Sequence, residues 1–210
     1  MSTPLRGVFF YFRPHEILSK EAKIIPSESR QDWTTRDYIM KLTLEDKSVF
    51  EGESFGASLS VAGEVVFTTG MTGYVESLSD PSYAGQILVC TYPLIGNYGV
   101  PASRFFESEK IQVAGLVVGE YIEKYSHSMA KESLGEWFRR SGVPAMTGVD
   151  TRAITKILRA RGVMLGYLSD LSDGKIKVEF YDPNKENLVA RVSCKKSQLK
   201  FIKKRGSGKK

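Results

Sequence analysis

Residues 63–101 read GEVVFTTGMTGYVESLSDPSYAGQILVCTYPLIGNYGVP, and this stretch decides the fold. Gly63–Thr69 is rich in β-branched side chains and predicts a strand. Gln86–Tyr92 is a near-continuous apolar run, the pattern of a strand buried on both faces. Three dense turns surround these strands: Gly70–Tyr74, Leu78–Tyr83 and Tyr92–Pro101. Gly, Pro, Asn and Asp supply the special backbone angles such turns need. Loops on a rigid sheet are where binding groups usually reside. From the residues alone, a binding face and plain connections fit these turns equally well.

Working outward, Leu42 and Leu44 alternate with polar neighbours, Asp46-Lys47 makes a turn, and Ser48–Gly52 returns as a second strand. Ile111–Val118 and the short Val143–Val149 complete the strands. Two helices are marked. Leu134, Trp137 and Phe138 have i, i+3, i+4 spacing, stopped by Gly142 and Pro144. Asp150 is an N-cap for a second helix with Ile154, Ile157 and Leu158 on one face. Arg159 and Arg161 fall in its last turn, where cations suit the helix dipole, and Gly162 ends it. Asp182-Pro183-Asn184 is a turn followed by an extended stretch to Ser193. Strands come first and helices late, which predicts a mixed α/β domain with helices on one side of the sheet.

The chain has 210 residues, 41% hydrophobic and 26% charged, ordinary values for a globular protein with a real core. Its net charge of +6 would suggest a nucleic-acid binder, but residues 195–210 carry eight basic and no acidic side chains. Without them 22 basic face 24 acidic residues, so the body is slightly acidic and nucleic acid is not an expected partner. No apolar run reaches the roughly 20 residues that cross a bilayer, so no membrane partner is expected either. Glu16, Glu21, Glu28, Asp32 and Asp37 argue against a mitochondrial leader, and Arg13, Pro14 and His15 break the only apolar run near the start. The two cysteines, Cys90 and Cys194, read as reduced thiols of a cytoplasmic protein.

Candidate chemistry is sparse. His15 lies in the first 38 residues, and His127 lies in a loop, where a lone histidine is usually a surface residue. No metal-ligand spacing, phosphate loop or nucleophile elbow occurs, and no cofactor is expected. Cys90 sits within the apolar strand. A reactive thiolate needs an electropositive, accessible setting, so Cys90 reads as a small core residue.

At residues 63–101 the chain resembles the N-terminal domain of carbamoyl-phosphate synthase small chains. The similarity continues through Phe106-Glu107-Ser108, Val113–Val118, Gly148–Arg152, Leu158–Gly162, Asp182-Pro183-Asn184 and Asn187-Leu188-Val189. The TYPLIGNYGVP wording most resembles the eukaryotic pyrimidine-pathway form. The resemblance implies a three-layer β/β/α domain of the swivelling type. It implies a role as the structural and assembly domain of a glutamine-hydrolysing ligase, which makes carbamoyl phosphate from glutamine, bicarbonate and two ATP for pyrimidine or arginine biosynthesis. Its implied partners are a glutamine amidotransferase domain and a large synthase chain, with L-glutamine in the complete enzyme.

In the family, the serine of D-P-S-Y helps line the glutamine site, which here is Ser82. A hydroxyl can donate to a carboxylate and accept from an ammonium, so it suits an amino-acid ligand. The rival role for Ser82 is to organise the turn after Pro81. The expected organisation is an N-terminal extension over residues 1–37, partly disordered, the domain over 38–194, and a disordered basic tail over 195–210. The Cys-His-Glu triad of the amidotransferase is expected to lie outside this chain, which reads as truncated before that domain. The alternative is a free-standing binding or regulatory protein derived from the domain.

Overall fold

The computed structural model describes residues 39–170 and 179–193. The expectations for the 1–37 extension, the 195–210 tail, His15 and Cys194 lie outside the described residues.

Strand β1 (Ile39–Leu44) buries Met40, Leu42 and Leu44 completely on one face. A turn follows in which Asp46 Oδ1 accepts from the Ser48 backbone N–H at 2.9 Å and Lys47 takes a left-handed φ of 71°. Strand β2 (Val49–Ser54) then returns antiparallel, with Leu42 opposite Phe50. Strands β3 (Val61–Thr68), β4 (Gln86–Ile95), β5 (Gly115–Tyr121) and β6 (Ala145–Thr147) run parallel to one another. Strand β7 (Met164–Asp170) lies antiparallel between β3 and β1, and β2 pairs antiparallel with β6. The order β1-β2-β6-β5-β4-β3-β7 closes on itself. Closure removes the unpaired strand edges that invite aggregation. The fold is therefore α/β, with a mixed seven-stranded sheet and a few helices.

Strand β4 divides the core. Ile87 and Val89 point into a cluster with Met40, Leu42, Val65, Val117 and Leu168, drawn from strands around the ring. Leu88 and Cys90 point the other way, into a cluster with Val75, Leu78, Leu134, Trp137 and Phe138. Those five belong to helices α1 (Tyr74–Ser79) and α2 (Leu134–Ser141), the crossovers between β3 and β4 and between β5 and β6. Helix α3 (Thr151–Arg161) adds Ile154 and Leu158 to the first cluster.

The helix ends follow local chemistry. In α2, Ser133 Oγ accepts from the Glu136 N–H and the Glu136 carboxylate accepts from the Ser133 N–H at 2.8 Å, a reciprocal capping box. That donation holds the Glu136 carboxyl below its ordinary range. In α3, Asp150 caps as expected, accepting from the Ala153 N–H at 2.9 Å.

The structure departs from the sequence reading at five places. The strand read over Ile111–Val118 begins only at Gly115 and runs on to Tyr121, while Ile111 and Val113 are buried ahead of it without joining the ladder. Leu78 and Ser79, read as part of a turn, end helix α1, only six residues long. Strand β4 runs on to Ile95 through Pro93, with a register shift between Cys90 and Leu94. Proline lacks the N–H that a regular ladder needs, and the irregularity accommodates it. Strand β7 was masked by Gly166, which interrupts its alternation. A Cβ there would stand 2.5 Å from Val65 Cγ2 and 3.1 Å from the Thr43 carbonyl, so close strand approach requires glycine. The stretch after Asn187 is a short helix, α4 (Leu188–Val192), rather than extended.

Gly63, directly opposite Gly166 across β3 and β7, is equally constrained, because a Cβ would collide with the Gly85 carbonyl. Gly63→Ala should therefore lower unfolding free energy by about 1–3 kcal/mol, the usual cost of overpacking. Phe138→Ala, at a fully buried site, should cost about 3–5 kcal/mol. Urea titration followed by circular dichroism measures both, and a neutral Gly63→Ala would contradict the close approach described.

Candidate functional site

The polar turns lie at two opposite ends of the parallel strands. Loops 69–73 and 96–101 follow the carboxyl ends of β3 and β4. Tyr74 and Tyr98 join them. The Tyr74 N–H donates to Tyr98 Oη at 2.9 Å, the Tyr74 hydroxyl donates to the Gly99 carbonyl at 3.3 Å, and the rings stack with centroids 4.0 Å apart. Gly99 has φ of 65°, and a Cβ there would meet Tyr125 and Ala130 at 2.8 Å. Burial pushes the Tyr74 hydroxyl well above its ordinary range and raises that of Tyr98, so both stay neutral at physiological pH. This pair is a clasp rather than an acid or a base.

Helix α1 runs back from that end, and the next turn precedes β4 at the amino ends of the strands. Asp80 Oδ1 accepts from the Ser82 N–H at 2.8 Å, capping the 3-10 turn Pro81–Tyr83. The turn is braced from behind. Ser79, fully buried, directs its hydroxyl to the Val75 carbonyl at 2.9 Å and accepts from the Glu107 N–H at 3.0 Å. The Ser79 carbonyl accepts from Ser108 Oγ at 2.6 Å, and Gln112 Nε2 donates to that same Ser108 oxygen at 2.8 Å. Ser82 itself is exposed, and its hydroxyl has no hydrogen-bond partner among the described residues. The backbone of Ser82 organises the turn, while its side chain is left over.

The same end of the sheet holds the 179–193 segment. Glu64, near the start of β3, accepts from Gln86 Nε2 at 2.6 Å and from Asn184 Nδ2 at 3.2 Å. Pro183 is buried, and Phe180 leans on Tyr167 with ring centroids 5.3 Å apart. The Asp182-Pro183-Asn184 turn is thereby fastened to the end of the sheet that carries Ser82.

The three turns of residues 70–101 thus do not form one face. Two are clasped together at the carboxyl ends, and the Ser82 turn stands at the opposite end. The bracing by Ser79, Ser108 and Gln112 had no signal in the sequence, because isolated serines and a glutamine are common anywhere. Cys90 is 1% exposed, and burial pushes its thiol up to about 12. His127 is exposed, with Nδ1 accepting from the Met129 N–H. Among the described residues no group of three or more His, Cys, Asp or Glu side chains could hold a metal ion. Nor is any described helix long and apolar enough to cross a membrane.

The architecture defines an α/β domain on a closed mixed sheet whose ends carry braced polar turns. The family model "Carbamoyl-phosphate synthase small chain, CPSase domain" matches residues 42–168, and the chain belongs to that family. The multifunctional protein URA2 of Saccharomyces cerevisiae is 48% identical over 191 residues, covering 79% of this chain and 9% of its own length. The carbamoyl phosphate synthase arginine-specific small chain of Schizosaccharomyces pombe is 47% identical over 205 residues, covering 91% of this chain and 49% of its own. That of Chaetomium globosum is 52% identical over 164 residues, covering 73% and 36%. The chain therefore spans half the length of these relatives or less, and both kinds match at nearly the same identity.

The state of Cys90 is directly measurable. With its thiol at about 12, the reactive thiolate is about one part in ten thousand at pH 8. Alkylation of Cys90 by iodoacetamide, followed by peptide mass spectrometry, should be negligible in the native chain and rapid in denaturant. Fast native labelling would show an accessible thiol and contradict the packing described.

Proposed function

We propose that this chain is the N-terminal domain of a glutamine-hydrolysing carbamoyl-phosphate synthase and does no bond-making of its own. In this reading residues 38–194 form a three-layer β/β/α domain of the swivelling type, with residues 1–37 an extension and 195–210 a basic tail. The domain packs against a glutamine amidotransferase domain and a large synthase chain in the cytoplasm and sets their relative arrangement. The complete enzyme converts glutamine, bicarbonate and ATP into carbamoyl phosphate for pyrimidine or arginine biosynthesis. Ser82 contributes its hydroxyl to the edge of the glutamine site.

The observation that carries this reading is the spare hydroxyl of Ser82 on a turn whose backbone N–H groups are all engaged. A hydroxyl that can both donate and accept suits the carboxylate and ammonium of an amino acid. Bracing keeps the entropy cost of presenting it low. The neighbouring Asn184–Glu64 contact fastens the segment that leads out of the domain at the same end.

The test supplies the chain with a separately expressed glutamine amidotransferase domain and a large synthase chain from a relative. The mixture should hydrolyse glutamine, while this chain alone should not. Ser82→Ala should raise KM for glutamine about tenfold, as loss of a hydrogen bond to a charged group does, and change kcat little. Glutamine hydrolysis by the chain alone, abolished by Cys90→Ala, would overturn the reading.

A further inference from the structure

The six arginines of residues 39–170 divide by whether they have a partner. Arg139 Nη1 donates to the Phe55 carbonyl at 2.9 Å, and Arg140 pairs with Glu132 at 2.6 Å. Arg161 pairs with Asp46 at 3.1 Å, and Arg104 lies over the Phe105 ring at 4.8 Å. Arg152 and Arg159 have no partner among the described residues, and neither has Lys156 between them. All three are exposed and sit on α3 at i, i+4 and i+7. That spacing aligns them within an arc of about 60° over about 10 Å of helix.

Helix stability does not account for this stripe. Arg159 suits the last turn, but Arg152 occupies the first turn, where the helix dipole disfavours a cation. The sequence TRAITKILRAR contains no acid, so no i, i+4 ion pair is available within the helix. Lys47, Lys110, Lys124 and Lys131 also lack a side-chain partner among the described residues, so what marks the stripe is that its three cations stand together on one helix face with one set against the dipole. A cation set against the dipole breaks a local rule, and such breaks are expected at working surfaces.

The surroundings say what kind of partner fits. Helix α3 packs along β4 through the Thr91–Thr155 hydroxyl contact at 2.8 Å. A Cβ on Gly119 would meet both Pro93 and Thr151, so the exposed Pro93-Leu94 corner of β4 flanks the first turn of α3. Leu94 is 38% exposed, and Glu120 lies opposite it in register and is exposed. The patch thus joins a cationic stripe to an apolar corner and two acids, Glu120 and the capping Asp150, on a body whose net charge is slightly negative. A uniform polyanion would meet Glu120 and the acidic body; a protein segment can match each feature separately. We infer that the outer face of α3, with the Pro93-Leu94 corner, docks an acidic segment of another polypeptide that carries carboxylates at helical spacing beside an apolar side chain.

The test titrates the full 210-residue chain with a synthetic helical peptide bearing glutamate at i, i+4 and i+7 and an adjacent leucine. Fluorescence anisotropy gives affinity, and amide chemical shifts locate the site. Shifts should cluster on residues 151–159 and at Leu94. Affinity should fall at least about tenfold in R152Q/K156Q/R159Q and weaken as salt rises. In a full chain with the eight basic residues of 195–210 changed to Gln, binding to the stripe should persist. Amide dispersion reports folding of the triple variant, and R152Q alone gives the same comparison if that variant fails to fold. Absence of binding at low salt, binding that follows the tail, or tighter binding of duplex DNA through the same three residues would each overturn the inference.

Discussion

Everything in this domain depends on one strand that must be buried on both faces. Ile87 and Val89 of β4 pack into the ring of strands, and Leu88 and Cys90 pack toward α1 and α2. A strand wet on either face would lose one of the two clusters. Being apolar on both sides, β4 has to be flanked by parallel neighbours and covered by crossovers. That requirement sets the β3-α1-β4 connection and recruits the Leu134, Trp137 and Phe138 face of α2. The antiparallel strands β1, β2 and β7 then complete the other wall, with Leu42 against Leu168 in register. Gly166 lets β7 approach β3 and β1 closely, and Gly63 lets β3 lie against the Gly85 carbonyl just ahead of β4.

The functional geometry is a consequence of that connection. A crossover helix of six residues reverses the chain over a short span, so the turns before and after it must stand at opposite ends of the strands. The first end is consumed by the Tyr74–Tyr98 clasp. The second receives the Ser82 turn, and the buried Ser79 hydroxyl ties it to the 107–112 loop. An unsatisfied buried hydroxyl is costly, so Ser79 can be buried at the end of α1 only because the Val75 carbonyl and the Glu107 N–H satisfy its hydroxyl. The energetic demand of the core thus produces the rigidity of the surface turn.

Much of this was legible in the residues, for reasons that differ by element. The QILVCTY run announced a strand buried on both faces because no other element of that length tolerates so many consecutive apolar side chains. Helix α3 was legible from its cap, its apolar stripe and its terminal glycine, three signals that agree. Helix α1 was not, because Gly and Pro crowd its flanks and its helicity comes from burying Tyr74, Val75 and Leu78 rather than from propensity. Strand β7 was hidden by Gly166, whose missing side chain is a long-range packing requirement set by Val65 and Thr43. Ser82 was singled out through the D-P-S-Y resemblance; that its hydroxyl is spare and its turn braced depended on contacts with residues nearly thirty positions away.

The two ends of the parallel strands also differ in hydrogen-bonding capacity, and that difference bears on where a ligand can act. At the carboxyl end the Tyr74 and Tyr98 hydroxyls are engaged with a neighbouring backbone and are held neutral by burial. A ligand there would first have to break the contacts that join the two loops. At the amino end, Asp80 and Ser79 satisfy the turn internally while the Ser82 hydroxyl remains exposed and uncommitted among the described residues. A polar ligand gains most where the protein has capacity to spare and no contact to lose. By that criterion the three turns differ in what they leave free: two are fastenings, and one presents an uncommitted hydroxyl.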